Sequence, residues 1–250
     1  MYSKILNNLP DFPVREVRIG LHWTAVVVEK DSGPQCGLAS TLSEEHHHTG
    51  QPIIPDPGKL ESYPARELAS WIESEIPLRR SLGCAAINAL LPRQPESWSN
   101  RNAEQEILSR GMGRKVVMVG HFPFTRSLQE QITDFQVLEL NPIAGDQPAS
   151  TAPELLPDAD LVAITGMTFI NHTLPELLQL CKPEAYVLLL GPSTPLTPLF
   201  AEYGVDLLAG SSVEDIPAVL AALCQGAIFR QVHKAGVRLI TQQIARSEAR

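Results

Sequence analysis

Val187 to Leu190 is a continuous apolar run, and it breaks at once into Gly191-Pro192-Ser193-Thr194-Pro195. A strand without inside/outside alternation must be covered on both faces, as in a parallel sheet between helices. The same grammar recurs upstream and downstream. Val116–Val119, Val137–Leu140, Leu161–Thr165 and Val205–Leu208 read as strands, and helices are expected from about Asn102, Thr125, Thr173, Thr197 and Ser212. Thr173 with Glu176 and Asn102 with Gln105 have capping-box spacing, while Gly204 and Gly226 stand where helices should end. Repeated strand–helix units predict a doubly wound parallel sheet of Rossmann type. Residues 227–250 are weakly patterned and read as terminal packing with a charged tail.

The pattern before Pro92 is different. Residues 14–29 read as two strands broken near Gly20 and Leu21, and Cys36–Ser40 as a third after the Asp31-Ser32-Gly33-Pro34 turn. Helical spacing follows over Pro64–Ser74 and Ser81–Leu91. Strands followed by helices predict a small α+β domain. The polar, two-proline segment Pro92–Ser99 is the linker, so the expected domains are 1–94 and 95–250 of an α/β protein.

In a doubly wound sheet, ligands bind outside the carboxyl ends of the strands. Four such ends converge here: Gly120-His121-Phe122-Pro123, Glu139-Leu140-Asn141, Thr165-Gly166 and the Gly191–Thr194 loop, with Asn171 able to reach the same edge. His121 can act as a base, a metal ligand or a plain hydrogen-bonding group, because an imidazole titrates near neutral pH. Glu139 can accept from a ligand hydroxyl, bind a metal or cap an amide, and Asn171 can shape the turn. His121 and Glu139 are the candidates for acid–base chemistry. The spacing from Gly120 to Glu139 superficially matches a dinucleotide-binding half, but Phe122, Pro123 and Phe124 stand where its second and third glycines would be. Close approach to a pyrophosphate is then obstructed.

Composition narrows the classes. The chain of 250 residues carries a formal charge of −8, with 44% apolar and 19% charged residues. That balance argues against nucleic acid as a partner, which normally requires a basic face. No apolar run approaches the roughly 20 residues of a membrane helix. The start, MYSKILNNLPDF, lacks the layout of a secretory signal, and Cys36, Cys84, Cys181 and Cys224 are widely spaced without a CxxC pair, so a reducing, cytoplasmic setting is expected. His46-His47-His48 suggests a metal site at first sight, with His46 and His48 the usable donors, yet three adjacent histidines cannot all face one ion in a regular element, and the segment reads as a surface loop. HExxH, Walker and GxSxG signatures do not occur.

The segments VVMVGHFPF, PDADLVAITGMTFINHTLPELL, LLLGPSTPLTPLF and GVDLLAGSSV together resemble the C-terminal domain of the heavy-metal chelation family, over about residues 95–226. CGLAST and the GCAAINALL helix are similar to its N-terminal, enolase-N-like domain. The resemblance implies an enolase-N-like α+β domain followed by a Rossmann-like domain, with a ligand cleft between them. It also implies a small-molecule partner and a metal ion or metal chelate as cofactor or cargo. Three readings stand: a protein binding a small anionic or metal-chelating ligand for metal or metallocofactor handling, an enzyme acting on a nucleotide or other phosphate compound, and a non-catalytic binding module. A homo-oligomer is compatible with all three.

Overall fold

The strand-rich start forms an antiparallel meander. In the computed structural model, which describes residues 1–43 and 52–246, a short helix α1 (Tyr2–Asn7) precedes β1 (Val14–Ile19), β2 (Trp23–Lys30) and β3 (Gly33–Ser40), in the sheet order β1-β2-β3. Lys30 pairs with Gly33 across the predicted turn, so β3 begins three residues before the expected Cys36. The two helical segments follow as α2 (Ala65–Ser70), prolonged by a 3-10 turn, and α3 (Pro77–Leu90). Pro77 fits at the first helical position, where its missing N–H is not needed, and this starts α3 four residues earlier than apolar spacing alone indicates.

Past the linker come β4 (Trp98–Ser99), α4 (Ala103–Gly111), β5 (Val116–Val119), α5 (Thr125–Gln131), β6 (Phe135–Glu139), β7 (Gln147–Pro148) and α6 (Ala152–Leu155). They are followed by β8 (Leu161–Thr165), α7 (Met167–Ile170), α8 (Leu174–Leu180), β9 (Tyr186–Leu190) and β10 (Leu207–Val213). The chain closes with α9 (Ile216–Cys224), α10 (Phe229–Gly236) and β11 (Val237–Gln243). The sheet order is β4-β11-β10-β9-β8-β5-β6-β7, with β6, β5, β8, β9 and β10 in parallel register. Every residue of β5 is buried, as expected for a strand covered on both faces. The chain order reverses between β5 and β8, so the topological switch point lies there.

By contacts the chain forms two units, Met1–Arg93 with Ser211–Leu239, and Gln94–Gly210 with the chain from Ile240 onward. The change of unit falls in the predicted linker, but the second domain is not the contiguous 95–250 expected. Val219, Leu220 and Leu223 of α9 and Val232 of α10 share a core with Trp23, Ala25, Val27 and Leu38, and that apolar packing places 211–239 with the first unit.

Three local expectations also shift. The helix expected from Thr197 is a 3-10 helix, Pro198–Tyr203, closed by Gly204 in the left-handed region. β10 runs through Ser212, and Asp215 caps α9 instead, its Oδ1 accepting from Ala218 N at 3.0 Å. The supposed weakly patterned terminus holds α10 and β11, the latter antiparallel to β4. No described helix is long and apolar enough to cross a membrane. His46 and His48 lie outside the described residues.

Candidate functional site

β5 ends in Gly120, whose φ of +95° favours glycine, and a Cβ there would come within 2.9 Å of Thr165 Cγ2. The tight turn delivers His121 to the carboxyl edge at the switch point. A cavity of about 320 Å³ opens at this place, beside the ends of β5, β6 and β8 and the flanks of α6 and α8, and every residue lining it belongs to the second unit. Of the residues singled out in the sequence, Gly120, His121, Glu139, Thr165 and Asn171 line this cavity. Phe122, Pro123, Asn141, Gly166 and the Gly191–Thr194 loop are not among its lining residues.

The two ionisable candidates do different things. Glu139 gives both carboxylate oxygens to main-chain amides: Oε1 accepts from His121 N at 3.0 Å and Oε2 from Leu140 N at 3.0 Å. It ties the end of β6 to the end of β5, the capping role that a carboxylate can play at a strand end. His121 instead reaches across with its ring. Nε2 lies 2.8 Å from Asp146 Oδ2, the same oxygen that accepts from Ile143 N at 2.9 Å. The Asp146 side chain is 2% exposed and the His121 side chain 35%. A carboxylate can only accept, so in the neutral ring the proton sits on Nε2 and Nδ1 keeps its lone pair. Asp146 was not singled out from the sequence. Its local signal is a Gly145-Asp146 turn, and its pairing with His121 spans 25 residues.

Asn171 shapes its own turn, as its residue type suggests. Its Oδ1 accepts from Thr173 N at 3.1 Å and from Thr173 Oγ1 at 2.8 Å, replacing the predicted Thr173–Glu176 capping box. Asn171 lines the cavity, and its Nδ2 is left as a donor without a partner among the described residues. Thr165 Oγ1 accepts from Met167 N at 3.3 Å.

The Gly191 loop is built for packing. Ser193 and Thr194 are each only 2% exposed, and Gly166 lies so close that a Cβ would meet Thr194 Oγ1 at 2.6 Å and Thr194 N at 2.8 Å. Thr194 Oγ1 is buried without a hydrogen-bond partner. The loop expected at the ligand edge thus keeps Ser193 and Thr194 buried, with Thr194 pressed against Gly166. Phe122 and Phe124 stack with ring centroids 5.4 Å apart, filling the space where a dinucleotide-binding turn would have glycines.

Among the described residues, no group of three or more His, Cys, Asp or Glu side chains is arranged to hold a metal ion. Cys36, Cys84 and Cys181 are buried and Cys224 is exposed. Burial pushes the Cys36 thiol up to about 12 and raises that of Cys84 as well, so neither serves as a ready thiolate ligand.

Two family models match the chain, over residues 103–242 and 2–91, and both carry the description "Putative heavy-metal chelation". An uncharacterised protein of Methanocaldococcus jannaschii is 30% identical over 218 residues, covering 84% of this chain and 82% of that protein. A crystal structure of a protein with unknown function from Desulfitobacterium hafniense, from the family matched by residues 103–242, superposes with a TM-score of 0.84 at 29% identity, covering 97% of each chain. A second from that family, from Pyrococcus horikoshii, gives 0.81 at 23% identity over 97% of this chain and 98% of that one, and so supports the fold.

Proposed function

The chain belongs to the family of unknown function described by heavy-metal chelation, and from that premise we propose that its strand-end pocket binds a small metal-chelating ligand. In this reading His121 Nδ1 gives one protein donor to a metal that arrives already held by the ligand. The observation that carries it is the His121–Asp146 pair. A histidine that ligates a metal commonly donates its other ring N–H to a carboxylate, which fixes the ring and raises the basicity of the ligating nitrogen. Here the carboxylate is buried, the remaining nitrogen has no protein partner among the described residues, and His121 lines a cavity at the switch point.

The absence of a three-donor cluster among the described residues fits this division of labour. A soft metal held bare would call for thiolates, and three of the four cysteines are buried. One protein donor on a pre-chelated metal gives a contact that forms and breaks readily, which suits handing a metal on more than storing it. The test is a thermal-shift titration with the zinc(II)–iminodiacetate complex, which is uncharged overall and keeps open coordination positions. At 100 times its dissociation constant a ligand stabilises by about 2.7 kcal/mol. The wild-type chain should gain that stability and His121→Ala should lose the gain. Equal stabilisation of the variant would overturn the reading.

A further inference from the structure

We infer that the ligand of this pocket is small, apolar in body and either uncharged or cationic overall, and that the pocket rejects phosphates and carboxylates whose charge is not neutralised by a bound metal. The inference rests on the pocket being the binding site, as proposed above.

Charge comes first. The lining includes the carboxylates of Glu139 and Glu176 and no Lys or Arg, and the Asp146 carboxylate stands behind His121. An anion entering a partly desolvated cavity of this kind meets repulsion with no compensating cation.

Backbone amides are the other way to hold a phosphate, and those at the ends of β5, β6 and β8 are already spent. In a nucleotide-binding turn the strand-end N–H groups point unpaired at the phosphate. Here Gly120 N donates to Leu138 O, His121 N and Leu140 N to Glu139, and Phe122 N to Thr125 Oγ1. Across the switch point Gly166 N donates to Leu190 O and Met167 N to Thr165 Oγ1. Glu139 is thus an internal anion occupying the place a ligand phosphate would take. A nucleotide or phosphate therefore meets neither a cation nor a free amide at the ends of β5, β6 and β8.

The uncharged polar groups left over include His121 Nδ1 as an acceptor, Asn171 Nδ2 as a donor and the Ser150 hydroxyl, beside the Glu176 carboxylate and the apolar Leu138, Leu140, Met167 and Leu177. Leu140 is 67% exposed at the mouth, an uncovered apolar side chain that a ligand body would shield. The volume of about 320 Å³ equals that of about ten water molecules in the liquid, which fits a single-ring or compact two-ring ligand and not a macrocycle.

Three probes of equal size and shape separate the possibilities: benzamide, benzamidine and benzoate, titrated into the full chain and followed by amide chemical shifts of His121 and Leu140. Benzamide and benzamidine should bind at least about tenfold more tightly than benzoate, and Glu176→Gln should narrow the gap by about two- to threefold. Benzoate binding as tightly as benzamide would overturn the charge assignment while leaving the pocket in place. An unchanged gap in Glu176→Gln would overturn its electrostatic origin. If none of the three moves those signals at millimolar concentration, the assignment of an apolar-bodied ligand is overturned, whereas the reading above falls only if zinc(II)–iminodiacetate also fails to stabilise the wild-type chain.

Discussion

The imidazole of His121 is held by a carboxylate that solvent barely reaches: Nε2 lies 2.8 Å from Oδ2 of Asp146, whose side chain is 2% exposed. The pair is asymmetric, because Asp146 Oδ2 also receives Ile143 N while the His121 ring has no other partner among the described residues. Removing either member should therefore have different effects. His121→Ala should abolish the response to zinc(II)–iminodiacetate and change stability by less than about 1 kcal/mol, as for a part-exposed side chain. Asp146→Asn should keep some response, weakened about 10- to 100-fold, and should also destabilise the 140–146 loop. Affinity titrations beside urea unfolding read both; an unchanged affinity in Asp146→Asn would reduce Asp146 to a loop anchor.

Glu139 is expected to behave as structure. Glu139→Gln trades a charge-assisted acceptor of two amides for a weaker one and should cost about 1.5–3 kcal/mol in unfolding free energy. Affinity for zinc(II)–iminodiacetate should stay within about twofold once the variant is folded. A variant of full stability that no longer bound would instead place Glu139 in direct contact with the ligand.

Gly166 and Thr194 predict opposite signs. Gly166 has a helical φ of −59°, so its cost on substitution is contact alone: Gly166→Ala forces a Cβ to 2.8 Å from Thr194 N and should destabilise by about 1–3 kcal/mol. Thr194→Val removes a buried hydroxyl with no partner and should be neutral or stabilising by about 1 kcal/mol. Urea midpoints of the two variants check the pair, and a destabilised Thr194→Val would reveal a bond that the hydroxyl makes in solution.

Thiol chemistry reports the core of the first unit. A thiol reagent near pH 8 should label Cys224 alone in the native chain and all four cysteines after denaturation. Cys36 ionises near 9.0 when unfolded and at about 12 when buried, with Cys84 raised in the same direction. The unfolded chain therefore sheds these protons first. The corresponding stability is fully present below about pH 9 and is lost as pH rises toward 12, at about 1.4 kcal/mol per pH unit for each thiol. Cys36→Ala should flatten that alkaline slope in a series of unfolding curves.

How much of this was legible follows from the range of the forces involved. The runs at Val116, Leu161 and Val187 announced buried parallel strands because burial on both faces needs no partner to show itself in sequence. β11 did not, since Thr241 and Gln242 are buried polar residues whose place is set by β4, far away in the chain. The Leu-Leu-Ala-Gly-Ser-Ser-Val stretch hides a long strand behind turn-like residues, so the helix expected from about Ser212 begins instead after its cap Asp215. At the site, Gly120, His121, Glu139, Thr165 and Asn171 could be placed at one edge from strand ends alone. Asp146 could not, because only the folded chain brings it to His121, and neither could the burial of Ser193 and Thr194, which the close approach of Gly166 imposes.

The most direct test is the nitrogen-15 spectrum of the imidazole rings, assigned to His121 by comparison with His121→Ala. The account predicts a proton on Nε2 in the free protein, and a selective shift of Nδ1 when zinc(II)–iminodiacetate is added. An Nδ1 signal that stays in place while the complex binds elsewhere on the chain would contradict it.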